Sequence, residues 1–142
     1  MKYFLVDTNV VIDFLTDRRP FSLIAAQLFE YSEKEKIKLY ITAVSYNNIY
    51  YIVRKLTSHK AAITILKDLE NMTETIDTTK ESIKLALHSE FKDFEDAIQY
   101  FSSKSNKKID AIITRNIADF KLSKLPILSP EEAIGIVEST IK

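Results

Sequence analysis

Short apolar runs alternate along this chain with longer stretches in which apolar residues recur every three or four positions. That is the pattern of buried strands interleaved with amphipathic helices. Tyr3-Phe4-Leu5-Val6 completes a first strand over Lys2 to Val6, and Val10-Val11-Ile12 resumes with helical spacing. Asn9 is the expected N-cap of that short helix, which should end near Leu15. Asp17-Arg18-Arg19-Pro20 breaks the pattern. Pro20 suits the first turn of a second helix through Tyr31, with Leu23, Ala26 and Leu28 facing inward. A charged exit from Ser32 to Lys36 leads to a second strand over Lys38 to Ile41. Thr42 then opens a helix carrying Val44, Ile49, Tyr51, Ile52, Val53 and Leu56.

The second half repeats the theme. Thr57-Ser58 starts a helix whose Ala62, Ile63, Leu66 and Leu69 keep the helical period, and Thr75-Ile76-Asp77 is a weak strand. Thr79 caps the next helix, and Asp93 to Phe101 is helical again. Ile109 to Ile113 is a strong strand that stops at Thr114-Arg115-Asn116. A last strand at Ile127-Leu128 runs into Ser129-Pro130-Glu131-Glu132, which reads as a cap, an N1 proline and an acidic first turn. Strands and helices in alternation predict an α/β fold with a parallel sheet covered on both faces. Residues 1–142 read as one domain, without repeat or linker.

Composition narrows the chemistry. Twenty Lys and Arg balance twenty Asp and Glu, so no overall field draws the chain to nucleic acid or to an anionic membrane. Any polyanion must be held by local charge. The absence of cysteine removes disulfides, thiolate metal sites and cysteine nucleophiles, and only His59 and His88 could offer imidazole. The single glycine, Gly135, rules out Gly-rich phosphate loops. No apolar run is long enough to span a bilayer and no secretory signal pattern opens the chain, so a cytoplasmic protein is expected.

Three segments could then bring acids to one sheet edge: Asp7 after the first strand, Asp93 and Asp96 opening a helix, and Asp110 and Asp119 around the late strand. In open parallel sheets, ligands sit beyond the carboxyl ends of the strands, where Asp7 is aimed. Asp93 and Asp96 stand three apart and share a helix face. Helix capping and the helix dipole account equally well for acids at such places, and suffice for Asp93 and Glu95. If the acids do converge, oxygen-only ligands suit Mg²⁺ or Mn²⁺. Asp110 begins its strand at the opposite end, and Asp13 reads as a solvated or structural acid.

Taken together, these segments resemble the PIN-domain nucleases, including the toxins of VapBC-type toxin–antitoxin pairs. Asp7-Thr8-Asn9-Val10-Val11-Ile12-Asp13 resembles the family's first motif and Thr42-Ala43-Val44-Ser45-Tyr46-Asn47-Asn48-Ile49 its second. Asp93-Phe94-Glu95-Asp96-Ala97 resembles the third, and Ile112 to Phe120 the fourth. The resemblance implies a three-layer α/β/α fold and a Mg²⁺- or Mn²⁺-dependent ribonuclease that leaves a 5′-phosphate and a 3′-hydroxyl. It casts Asp7 and Asp96 as metal-ligating acids, with Asp93 as an accompanying acid one helical turn earlier. Asn9 and Thr114 become supporting polar residues. Two positions depart from the family pattern, because Asn48 and Asn116 stand where acids are usual. Asparagine can ligate through its carbonyl but brings no charge. Asp119 is placed to supply a missing acid. As structural residues, Asn48 would face solvent and Asn116 would take a left-handed turn conformation.

For RNA phosphates, Arg115 is the best-placed cation, with Arg18-Arg19 and Arg54-Lys55 as further candidates. Lys104, Lys107 and Lys108 read as a solvated turn. Tyr46 and Tyr50 share a helix face, which could stack on unpaired bases but for which core or interface packing is the leading expectation. The family likeness also implies a homodimer and an antitoxin partner. The leading expectation is thus a metal-dependent ribonuclease. The rival is a degenerate PIN domain that binds RNA or protein without cutting, which Asn48 and Asn116 favour.

Overall fold

The computed structural model describes residues 1–141. Five strands, β1 (Lys2–Val6), β2 (Ile37–Thr42), β3 (Glu74–Ile76), β4 (Ala111–Ile113) and β5 (Ile127–Leu128), form one parallel sheet in the order β3-β2-β1-β4-β5. The helices are α1 (Thr8–Leu15), α2 (Phe21–Glu33), α3 (Ala43–Leu56), α4 (His59–Met72), α5 (Lys80–Leu87), α6 (Phe94–Ser105) and α7 (Pro130–Thr140). One 3₁₀ turn, Ile117–Phe120, lies between β4 and β5.

Alternation along the strands sets the layers. Phe4 and Val6 of β1 point to one face with Leu39, Ile41, Ala111 and Ile113, where α1, α2, α3, α4 and α7 bury Val10, Leu28, Ile49, Leu69 and Val137. Leu5, Tyr40 and Ile112 point to the other face and meet Tyr100 of α6 and Phe120 of the 3₁₀ turn. Ala97 and Ile98 of α6 pack on Ala86 of α5. This is the expected three-layer α/β/α arrangement. β1 and β4 are central and paired, so the residues leaving their carboxyl ends, Asp7 and Thr114, emerge side by side. Asp7 N donates to Ile113 O at 2.9 Å, carrying the ladder one step past the strand.

Several local expectations shift. α1 starts at Thr8, so Asp7 and not Asn9 occupies the N-cap position. Pro20 precedes α2, which continues to Glu33. Its inward stripe is Ser22, Ala25, Leu28 and Phe29, leaving Leu23 and Ala26 exposed. Two contacts fix that phase: Ser22 Oγ donates to Asp17 Oδ1 at 2.7 Å, and Phe29 stacks on Phe14 with 4.1 Å between ring centroids. Tyr46 and Tyr50 are half-buried against the core, and the Tyr50 hydroxyl meets His59 Nδ1 at 2.7 Å. Among the described residues no helix is long and apolar enough to cross a membrane.

Candidate active site at the carboxyl edge of the sheet

The first two strands end on residues that occupy N-cap positions without capping. Asp7 precedes α1 and Thr42 precedes α3, both in extended conformation, yet neither side chain accepts from its helix. Each is used sideways instead. Asp7 is buried, and its two oxygens accept separately: Gln99 Nε2 donates to Oδ1 at 2.9 Å and Thr114 Oγ1 to Oδ2 at 2.8 Å. Thr114 Oγ1 in turn accepts from the Asn116 backbone N–H at 3.0 Å. Three elements, β1, α6 and the exit of β4, therefore fix one carboxylate.

A second chain of polar groups runs alongside. Thr42 Oγ1 lies 2.8 Å from Ser45 Oγ, and Thr8 Oγ1 lies 2.7 Å from both Ser45 Oγ and Glu95 Oε2. A hydroxyl carries one proton and a carboxylate can only accept, so Thr8 donates to Glu95 and takes its own bond from Ser45. Glu95 is thereby drawn to the same edge from the first turn of α6.

Asp96 follows it, half-buried. Asp93 accepts from the Asp96 backbone N–H through Oδ1 at 2.9 Å, the side-chain cap of α6. Burial raises the Asp96 carboxyl to about 8, and the nearby charges of Asp7, Asp93, Asp119 and Glu95 push the same way. Asp7 is also raised, mainly by burial, against the lowering effect of its bonds from Gln99 and Thr114. Among the described residues no Lys or Arg forms an ion pair with any of these five acids. Their mutual repulsion is left for a proton or a cation to relieve.

The sequence-based assignments fare unequally. Asp7, Asp96 and Thr114 lie together, and Asp93 and Asp119 are near enough to act on Asp96. Asp93 is exposed and spends one oxygen on the cap, whereas Glu95, passed over as a first-turn acid, reaches inward. Arg115 is not free for phosphate. Its Nε and Nη2 donate to Asp13 Oδ2 and Oδ1 at 2.6 and 3.2 Å, and its guanidinium lies 4.0 Å from the centre of the Phe21 ring. Asp13 is 1% exposed, so it is a buried structural acid and not a solvated one. Arg18 and Arg19 lie against Asp13 and Asp17. Asn116 is exposed and not left-handed, with φ −110° at the cap of the 3₁₀ turn. Asn9 and Asn48 are half-exposed. Gln99 escaped sequence analysis altogether. Its spacing of three from Asp96 was the available signal, a polar residue on the acid's own helix face amid Ala97, Ile98 and Tyr100.

The donor set is oxygen throughout, which suits a hard divalent ion. Among the described residues no three acidic or imidazole side chains already form a complete ligand group. Mg²⁺ tolerates this, since it keeps several waters and takes only one or two carboxylates.

Residues 3–118 match the profile of the PIN domain. The chain belongs to the PIN-domain family. The hydrogen-bonded groups of this edge, Asp7, Thr8, Ser45, Glu95 and Thr114, come from segments within that range. The chain is also 27% identical over 132 residues to ribonuclease VapC1 of Aquifex aeolicus, covering 89% of this chain and 90% of that one. In fold it is similar to the DNA-bound VapBC of Salmonella typhimurium (TM-score 0.69, 13% identity, 92% and 99% of the two chains). It is likewise similar to VapC20 of Mycobacterium tuberculosis, a sarcin–ricin loop cleaving toxin (TM-score 0.60, 17% identity, 77% and 86%). A PIN domain with Glu95 turned into its acid edge thus joins a fold shared with toxins.

Proposed function

We propose that this PIN domain is a metal-dependent endoribonuclease and the toxin of a VapBC-type pair, with RNA as substrate and an antitoxin protein as partner. The observation that carries the reading is the group of five acids at one sheet edge, none of them ion-paired to a Lys or Arg among the described residues. Asp7 and Asp96 would hold Mg²⁺ or Mn²⁺, with Glu95 or Asp119 completing the ligand set in place of the acids that Asn48 and Asn116 lack. When bound, the ion supplies Lewis acidity toward a phosphodiester and toward water at neutral pH. Gln99 and Thr114 orient the Asp7 carboxylate and favour its ionised form against the burial that opposes it, because both donate to it. The Ser45–Thr8 hydroxyl relay orients Glu95.

The test is RNA cleavage by the purified protein with Mn²⁺ or Mg²⁺, beside calorimetric metal titration. Cleavage that Asp7→Asn and Asp96→Asn both abolish, with metal uptake weakened at least tenfold, supports the enzyme. The two asparagines favour a second reading, an RNA- or protein-binding module without chemistry. RNA binding with no metal uptake at millimolar concentration would establish it.

A further inference from the structure

A cleft of about 450 Å³ opens directly beside the acid edge, between the segment that precedes α6 and the 3₁₀ turn. Its lining combines apolar Phe91 and Leu122, the cations Lys92 and Lys121, and the acids Glu90, Asp93 and Asp119. Asp93 and Asp119 also act on Asp96, so the cleft is continuous with the site. Phe91 is locked by packing, stacked on Tyr100 at 5.2 Å and edge-on to Phe120 at 6.3 Å. Leu122 is 46% exposed with no core role. Neither Lys92 nor Lys121 forms an ion pair among the described residues, and both are exposed. The obvious cation, Arg115, is occupied elsewhere. The lysines therefore bring positive charge free of ion pairs to the same lining as the acids.

We infer that this cleft seats one unpaired nucleotide of the RNA strand, its base against Phe91 and Leu122 and its flanking phosphates on Lys92 and Lys121. The inference rests on the nuclease reading for the position of the strand. The volume lies within the range of small-ligand sites. A rigid apolar lining gives a base something to stack on, irrespective of its sequence. Lys92 and Lys121 would offset part of the like charge that Glu90, Asp93 and Asp119 present to a phosphodiester.

Fluorescence anisotropy tests it, using short labelled single-stranded RNA and the Asp96→Asn protein in Ca²⁺, so that binding is read without cleavage. Lys92→Ala with Lys121→Ala should weaken binding about tenfold and flatten the log–log salt dependence by about 1.4, the value for two single-strand phosphate contacts. Leu122→Ser should cost about fivefold. Lys107→Ala with Lys108→Ala removes the same charge from the turn before β4 and should change neither quantity. Equal losses from both lysine pairs, no loss from either, no RNA binding by the Asp96→Asn protein, or duplex RNA competing as well as single strands would each overturn the cleft. Cleavage by the unaltered protein is scored separately. Cleavage with an unaffected Lys92/Lys121 variant rejects the cleft and leaves the nuclease standing, and the reverse result rejects the nuclease alone.

Discussion

Single residues at this edge are governed by what surrounds them more than by what they are. Arg115 looked like a phosphate ligand because it adjoins Thr114, yet the buried carboxylate of Asp13 claims it. Arg115→Ala leaves that buried carboxylate only the longer contact with Arg18 at 3.8 Å and should destabilise the fold by about 3 kcal/mol, the low end for breaking a buried pair. Replacing both partners with apolar residues should recover much of the loss in urea denaturation, an outcome a phosphate-binding arginine would not give. Asp96 carries the pH dependence. Its folded value is about 8 against an ordinary 3.8, so from about pH 4 to 8 the metal-free native chain holds a proton that the unfolded chain has released. Stability should therefore fall as pH rises through that window, and Asp96→Asn should reduce the slope in thermal melts, leaving the part that the raised Asp7 carboxyl contributes. Because Mg²⁺ competes with that proton, its stabilising effect should grow from pH 6 to pH 8.

Secondary-structure elements decide which acids can meet. Asp93 and Glu95 were indistinguishable in the sequence, both first-turn acids of α6, and only the rotation of the helix separates them. One lies outward and caps, while the other finds Thr8. Asp93→Ala should cost about 1 kcal/mol of stability through the lost cap. Asp93→Asn, which caps equally well, should restore both stability and cleavage if the cap is the residue's whole contribution. A charge requirement would show as full stability with depressed cleavage. Gly135 lies within α7 with open space where a Cβ would go, so Gly135→Ala should raise stability by about 0.5–1 kcal/mol in the same assay. Element order, the strand positions of β1, β2 and β5, and the caps at Thr79, Asp93 and Ser129 were legible because each is written in a few consecutive residues. The phase of α2, the start of α1 and the partner of Arg115 were not, since side-chain and tertiary contacts fix them, from Ser22 on Asp17 across a loop to Arg115 on Asp13 across most of the chain. Gln99 was hidden for that reason too, being 92 positions from the carboxylate it serves.

At the scale of the whole molecule, zero net charge conceals a divided surface. Acids gather beyond β1 and β4, and free lysines stand in the cleft lining and in the turn before β4. RNA affinity should accordingly depend on salt through a few local contacts and hardly at all through global charge, which the anisotropy titrations measure directly. The brace between Asp13 and Arg115 has a wider effect. It ties the segment leaving β4 to α1 from below, so Thr114, Asn116 and Asp119 are held in place by covalent neighbours and an internal ion pair, with no ion required to gather them. Such a scaffold is assembled in advance, and loading it is a matter of occupancy and not of folding. Treatment with EDTA should then silence the protein while leaving its circular dichroism intact, and added Mn²⁺ should restore it without a refolding delay.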